Sequence, residues 1–141
     1  YLNIEIQLLN QEWKVYLDSE SAGDYQISRA SWIGDYVDPN SFLDMFLCGG
    51  GNNRTGWCNE EFDRLILDEA PTAKTHAKRL EIFTQAETIL LADLPIIPIF
   101  TYTSKHLVSP AIKNKGTNLL DQTMYKEIYL ESDSGSNGGD N

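Results

Sequence analysis

The first thirty residues alternate between strand-like and helix-like patterns, and this alternation constrains the fold more than any other feature. Residues 2–9 alternate apolar and polar side chains and then become fully apolar, which is typical of a strand with one buried face. Asn10 can cap a helix that begins at Gln11, and residues 25–30 form a second strand-like run. A strand, a helix and a strand in this order favour a parallel pair joined by a right-handed crossover. The sequence therefore predicts an α/β fold.

Helix-like patterns return in the middle of the chain, and strand-like patterns follow them. Apolar residues at helical spacing predict a short helix at residues 42–47 and longer helices at residues 59–70 and 73–91. Residues 94–102 are β-branched and apolar, which is typical of a buried strand, and one more short strand is predicted within residues 121–130. These later elements extend the α/β pattern of the first thirty residues.

The chain carries 21 acidic and 11 basic groups among its 141 residues, which gives a net charge of −10. This charge repels phosphate backbones and anionic membrane surfaces, so the composition argues against nucleic acid and favours a cationic or amine-bearing ligand. No apolar run approaches the length of a membrane span, and we expect no membrane-spanning segment. Because the sequence begins at Tyr1 without an initiating Met or a signal peptide, we expect a processed chain or a segment of a longer one.

A polar and aromatic run, residues 29–36, lies where the second predicted strand ends. In an open α/β sheet, ligands bind beyond this end of the strands. Trp32 supplies a flat apolar wall and Asp35 a fixed negative charge, and the two together suit a ligand with a cationic end. The alternative is a core tryptophan beside an aspartate that caps a turn, and Trp13 can likewise be the anchor of its helix on the sheet.

The two cysteines, Cys48 and Cys58, bound a loop that is rich in glycine and asparagine. This arrangement favours a disulfide, which would contribute about 2–3 kcal/mol by restricting the unfolded loop. Two buried free thiols are the alternative. A phosphate-binding loop is disfavoured because no Lys-Ser or Lys-Thr pair follows the glycines. A zinc site is disfavoured because His76 and His106 do not lie at metal-ligand spacing, so we expect no metal and no other cofactor.

Eight short runs carry a resemblance to a known family, and they are residues 10–14, 29–36, 38–39, 41–43, 52–53, 62–63, 85–87 and 95–99. Taken in order, these runs resemble the C-terminal part of the oligopeptide-binding proteins of bacterial ABC importers, the OppA-like solute-binding protein family 5. The resemblance implies that residues 1–130 form part of the second lobe of a type II periplasmic-binding-protein fold, together with the chain that returns toward the first lobe. The polar composition of residues 131–141 predicts a flexible tail.

The resemblance also implies roles for individual residues in ligand binding. Asp35 matches the aspartate that pairs with the α-amino group of the peptide, and Arg29 resembles an arginine that meets the carboxylate of peptides of certain lengths. Trp13 and Trp32 match indoles that line side-chain pockets. The remaining implied contacts come from backbone groups that meet the extended peptide and from pocket-lining side chains, which are Ala30, Ser31, Ile33, Asn52 and Tyr102.

The function implied by the resemblance is that of an extracytoplasmic, for example periplasmic, substrate-binding component of an ABC importer. Such a protein binds peptides by their free N-terminus and extended backbone, delivers them to membrane permease subunits and catalyses no reaction. An N-terminal region outside this sequence could carry a lipid anchor.

Three other functions stay open from the sequence. The first is a receptor of the same fold for a different solute, such as a dipeptide or a nickel complex. The second is a hydrolase that uses Asp35 and Asp38 as paired carboxylates, which is disfavoured because no nucleophile or histidine base stands near them in the sequence. The third is an isolated interaction domain.

Overall fold

The computed structural model describes residues 3–116 and 118–131. Within these residues the chain divides into two compact units. The first unit comprises residues up to 32 together with residues 38–97, and the second comprises residues 33–37 together with the described residues from 98 onward. The chain therefore leaves the first unit after Trp32 and returns to it at Asp38.

The first helix, α1, spans Trp13–Ala22 and is fixed at both ends by local hydrogen bonds. The carboxylate of Glu12 accepts the backbone N–H groups of Lys14 and Val15, which would otherwise lack a partner in the first turn. At the other end, Gly23 has a φ of 70°, a left-handed conformation that glycine adopts at little cost. The predicted helix is confirmed, but Glu12 caps it and not Asn10.

Three further helical stretches of the first unit follow the predicted order. Helix α2 spans Asn40–Leu43 and continues as a 3₁₀ turn over Asp44–Phe46. Helix α3 spans Glu60–Arg64 and begins after Asn59, whose side chain accepts the N–H groups of Glu61 and Phe62. The α3 stretch continues through a π-helical turn at Leu65–Glu69 into α4, Ala70–Thr72.

The longest helix, α5, spans His76–Asp93 and begins after Thr75, whose hydroxyl accepts the N–H of Lys78. It ends at Leu94, where the backbone turns into the left-handed region with a φ of 52°. The sequence predicted this helix over residues 73–91, so its existence is confirmed and its bounds shift by two or three residues. Residues 73–75 stay outside the helix because Thr75 is extended and serves as the cap.

The hydrophobic core of the first unit lies where α5 packs against the α3 stretch and against α2. Phe62 is fully buried, and the ring of Trp57 meets it edge to face at 5.0 Å between ring centroids. The other buried apolar side chains are Leu43, Phe46, Leu65, Ile66, Ala70, Ile82, Phe83, Ala86 and Leu90.

The predicted strands at residues 2–9, 25–30 and 94–102 are wrong for the described residues, because none of those residues forms a strand. A strand requires a neighbour that satisfies its backbone N–H and C=O groups. Among the described residues no strand pairs with these segments, and side chains such as Leu8 and Ile99 are 90% and 79% exposed. The expected parallel strand pair is therefore absent from the described part of the chain.

The second unit contains the one sheet of the described residues, a short antiparallel pair. Strand β1, Ile112–Lys113, lies beside β2, Tyr129–Leu130, with Ile112 opposite Leu130. The ammonium group of Lys113 contacts the carboxylate of Glu131 at 2.9 Å. The strand predicted within residues 121–130 is thus confirmed at its last two residues, after a 3₁₀ turn at Tyr125–Glu127.

The predicted tail, residues 131–141, lies outside the described residues except for Glu131. The predicted boundary of the folded segment at residue 130 accordingly stays a prediction. No helix in the described ranges is both long enough and apolar enough to span a bilayer.

Replacing Phe62 with Ala should lower the free energy of unfolding by about 3–5 kcal/mol, because a fully buried ring would leave a cavity in the core. Leu67 lies in the same helical stretch but is 57% exposed, and Leu67→Ala should cost less than about 1 kcal/mol. Urea unfolding followed by circular dichroism measures both losses. Similar losses for the two variants would contradict this account of the core.

Candidate functional site

The predicted disulfide is confirmed, since Cys48 and Cys58 are bonded with their Cα atoms 4.6 Å apart. This separation falls within the limit of about 7 Å that a disulfide requires. The backbone N–H of Cys48 also donates to the carboxylate of Asp63 at 3.2 Å, which ties the start of the loop to α3. The glycine-rich loop is therefore closed at both ends.

Asn53 organises the interior of this loop. Its amide nitrogen donates to the carbonyl oxygens of Phe46, Leu47 and Trp57 at 2.8–3.1 Å. Its amide oxygen accepts the backbone N–H and the hydroxyl of Thr55. One half-buried side chain therefore satisfies backbone groups on both sides of the loop and restrains the loop despite its glycines.

Asn52, the residue predicted to line a ligand pocket, has an exposed side chain on this loop. Its neighbour Asn53 makes the structural hydrogen bonds. The exposure of Asn52 is compatible with contact to a ligand, and its role there stays a prediction.

A polar cluster around Glu20 joins α1 to the segment that follows it and to the loop. One carboxylate oxygen of Glu20 accepts the hydroxyls of Tyr16 and Ser28, at 2.8 and 3.1 Å. Arg54 of the loop approaches the other oxygen at 3.9 Å and also donates to the hydroxyl of Ser21. Burial, followed by the hydrogen bond to Glu20, raises the pKa of Tyr16 above its ordinary value.

Tyr16 also links two of the predicted ligand-binding residues in the first unit. Its hydroxyl oxygen, whose proton goes to Glu20 at the shorter distance, also lies 3.2 Å from the backbone carbonyl oxygen of Arg29. The Tyr16 ring stacks on the indole of Trp13 at 5.3 Å between centroids. The indole of Trp13 is 68% exposed, so it is not a core anchor of its helix within the described residues. The structure thus brings Trp13 and the backbone of Arg29 to opposite ends of one tyrosine side chain.

The next predicted residues are Ala30, Ser31 and Trp32. Ala30 and Ser31 are exposed and pair with no strand among the described residues. Trp32 is half-buried, and its indole N–H donates to the backbone carbonyl of Ser41 at 2.7 Å. This hydrogen bond fixes the orientation of the Trp32 ring relative to α2.

Asp38, where the chain returns to the first unit, is held by a two-point ion pair with Arg79 of α5. The guanidinium donates to the two carboxylate oxygens at 2.5 and 3.0 Å, and the backbone N–H of Asn40 donates to one of them at 2.9 Å. The hydrogen bond from Arg79 is the main reason that the pKa of Asp38 lies below its ordinary value. The carboxylate of Asp38 is therefore ionised and engaged at neutral pH.

The second unit holds the three other predicted residues. Ile33 is 80% exposed, and Asp35 is exposed. Tyr102 packs edge to face against Phe100, with the ring centroids 4.7 Å apart. The ligand contacts of all three stay predictions.

The sequence analysis missed Tyr16, Asn53 and Arg79. Tyr16 could have been found, because it lies three residues after Trp13 on the same helix and therefore on the same face. Asn53 and Arg79 could not, because their roles depend on contacts that the sequence pattern does not encode. Arg79 meets Asp38 across 41 residues of chain.

The described residues contain no group of three or more His, Cys, Asp or Glu side chains that could hold a metal ion. In the second unit, Asp121 lies in a polar cluster with Ser104 and His106. Asp121 accepts the hydroxyl of Ser104 at 2.7 Å and lies 2.9 Å from Nε2 of His106, and these contacts lower the pKa of Asp121.

Several known proteins similar to this chain are described as bacterial peptide-binding proteins. The chain is 44% identical over 131 residues to the oligopeptide-binding protein OppA of Bacillus subtilis, a match that covers 92% of this chain and 24% of that protein. It is 39% identical over 112 residues to the dipeptide-binding protein DppE of the same bacterium, covering 79% of this chain and 20% of the relative. No protein-family model matches the chain.

A solved structure of Haemophilus influenzae OppA in complex with the peptide RPPGFSPFR shares the fold. The TM-score is 0.78 at 36% sequence identity, over 88% of this chain and 24% of that one. The predicted fold class, a part of the periplasmic-binding-protein fold, is thereby confirmed. The chain spans between a fifth and a quarter of the length of the curated relatives described above.

Asn53→Ala should lower the free energy of unfolding by about 1–3 kcal/mol, because carbonyl oxygens on both sides of the loop would lose their donor. Asn52→Ala is the matched control on the adjacent exposed residue and should change stability by no more than about 0.5 kcal/mol. Thermal and urea unfolding under oxidising conditions compare the two variants. A larger loss for Asn52→Ala would show that the hydrogen-bonding roles are assigned to the wrong asparagine.

Asp38→Asn should make the protein less sensitive to acid. The folded-state pKa of Asp38 is lowered by Arg79, so its contribution to stability is present above the unfolded pKa of about 4 and is lost as the pH falls through the folded pKa. As the pH falls below 5, the free energy of unfolding of wild type should therefore decrease more than that of the variant. Urea midpoints across that range give the slope, and parallel slopes would contradict the assignment.

Proposed function

Because the chain belongs to the oligopeptide-binding protein family over the part of those proteins that it spans, we propose that it forms part of the substrate-binding component of an ABC importer. The observation that carries this proposal is the 44% identity to the oligopeptide-binding protein OppA of Bacillus subtilis over 131 residues. In this role the protein binds peptides outside the cytoplasm and delivers them to membrane permease subunits.

Asp35 is proposed as the counter-charge for the α-amino group of the peptide. A carboxylate and an ammonium group form a charge-assisted hydrogen bond, which is stronger than a neutral one and selects a free N-terminus. The net charge of −10 supports the same ligand class, because an acidic protein attracts a cationic group. Arg29 is proposed to meet the carboxylate of peptides of suitable length.

The backbone and the indoles are proposed to bind the remainder of the peptide. Ala30, Ser31 and Ile33 belong to a run that pairs with no strand among the described residues, so its N–H and C=O groups are suited to an added peptide strand. Such backbone contacts are independent of the peptide sequence. The indoles of Trp13 and Trp32 supply flat apolar surface for side chains of varied shape. Asn52 and Tyr102 are each proposed to contact peptide side chains as well.

The location outside the cytoplasm is supported by the Cys48–Cys58 disulfide, because disulfides persist in oxidising compartments. We also propose that a lipid anchor, carried by a region outside this sequence, attaches the protein to the membrane.

The relatives and the solved structure described above are binding proteins, and we propose that this chain likewise catalyses no reaction and requires no cofactor. The state of Asp38 supports this proposal. Its carboxylate is engaged by Arg79, so Asp38 is poorly suited to the paired-carboxylate hydrolysis considered from the sequence.

A dipeptide receptor is the second candidate, because a relative with 39% identity is described as a dipeptide-binding protein. The two functions differ in the length of peptide that gives maximal affinity. Calorimetric titration with a series from dipeptide to pentapeptide, using the full natural chain that contains this segment, distinguishes them.

In that full chain, Asp35→Asn should weaken binding of a tetrapeptide with a free N-terminus by about 2–4 kcal/mol, because the ammonium group would lose its counter-charge. Asp24→Asn, which removes an exposed aspartate outside the proposed site, is the matched control and should leave the affinity unchanged. Isothermal titration calorimetry with the peptide and with its N-acetyl form provides the measurement. Equal affinity of wild type for the two forms would refute the role of Asp35.

A further inference from the structure

The segment that carries Asp35, residues 33–37, is preceded and followed along the chain by residues of the first unit whose side chains are held by hydrogen bonds. The chain leaves this unit after Trp32, whose indole N–H donates to the carbonyl of Ser41 at 2.7 Å. It returns at Asp38, whose two carboxylate oxygens are held by Arg79 at 2.5 and 3.0 Å. Residues 33–37 are therefore connected to two restrained points of the first unit.

The restraint at Asp38 derives from the hydrophobic core. Arg79 lies on α5, and its guanidinium carbon stands 4.5 Å from the ring centroid of Phe83, which is buried. A cation above an aromatic face is attracted to it, so the Phe83 ring helps to orient the guanidinium. The planar guanidinium then matches the carboxylate of Asp38 at two points, a geometry that a lysine cannot reproduce.

The ion pair is better shielded than an ordinary surface pair. The side chains of Arg79 and Asp38 are 29% and 25% exposed, whereas Arg64, which contacts Glu61 and Glu69 on the α3 stretch, is 48% exposed. Exposed ion pairs contribute little because water screens them. The Arg79 pair is thus suited to hold one conformation of the backbone at Asp38 and at the start of α2.

We propose that Arg79 is a positioning residue for peptide recognition, which fixes the return end of the Asp35-bearing segment and so pre-organises Asp35 for the ligand's α-amino group. The proposal rests on the proposed function of Asp35. Without the two-point contact, residues 33–37 would have more conformations. The entropy cost of ordering them would then reduce the affinity for the peptide. The loss should fall on recognition of the free N-terminus, which is the interaction assigned to this segment.

The experiment uses the full natural chain and compares wild type with Arg79→Lys, which retains the charge but loses the planar fork. Calorimetry gives the affinity ratio between a tetrapeptide with a free N-terminus and its N-acetyl form. Arg79→Lys should reduce this ratio by about tenfold. The matched control Arg64→Lys changes a more exposed arginine of the same unit and should leave the ratio as in wild type.

Two further measurements separate positioning from general destabilisation. Asp38→Asn should reduce the same affinity ratio, and the double variant Asp38→Asn with Arg79→Lys should reduce it no further than either single change, because one interaction is removed in all three. If Arg79→Lys unfolds the chain, Asp38→Asn alone still decides the outcome. An unchanged ratio in folded variants, with lowered stability, would overturn the proposal and leave Arg79 a purely structural residue.

Hydrogen exchange distinguishes failure of this inference from failure of the proposed function. Arg79→Lys should speed amide exchange in residues 33–41 while leaving α1 as protected as in wild type. If wild type binds the two peptides equally, the proposed function fails and the recognition role of Arg79 is overturned with it. In that case, faster exchange in Arg79→Lys would still show that Arg79 restrains residues 33–41. If wild type does distinguish the two peptides but Arg79→Lys shows the same amide exchange as wild type, the inference alone is overturned.

Discussion

The contact between the α3 stretch and α5 is the interaction on which the rest of the first unit depends. Burial of Phe62 and its neighbours fixes α5, and α5 then holds polar segments at separate points along its length. Near its start, Arg79 binds Asp38. At its last residue, Asp93 accepts the indole N–H of Trp57 and the amide of Asn59. Non-directional apolar packing thus supports directional hydrogen bonds, which position loops that have little core of their own.

The sequence predicted the helices and the disulfide because their determinants are local. Spacing of apolar residues identifies α5, and a glycine-rich loop bounded by Cys48 and Cys58 indicates their pairing. The strands at residues 2–9, 25–30 and 94–102 were predicted wrongly for the described residues, because an apolar alternation specifies a side-chain face and does not supply a strand to pair with. Strand formation depends on distant partners in a way that helix formation does not.

The candidate site shows the same division between local and distant information. Asp35 and Trp32 could be predicted as ligand contacts because they lie in one short run that resembles the family, and these contacts stay predictions. The residues that restrain such a run are found only in three dimensions. Asn53 was overlooked beside Asn52, although the two are chemically identical, because only the fold decides which amide faces the backbone carbonyls.

Asp35 and Asp38 have identical side chains, but Asp38 is engaged by the guanidinium of Arg79. Hydrolysis by paired carboxylates requires one of them to be protonated near neutral pH, which means a raised pKa. Arg79 instead lowers the pKa of Asp38, so the shift has the wrong sign for a general acid. The same guanidinium neutralises the charge of Asp38 and leaves its carboxylate a structural tie at the start of α2. A segment in which one aspartate is committed to a structural ion pair is better suited to recognise a charge at Asp35 than to transfer a proton between two carboxyl groups.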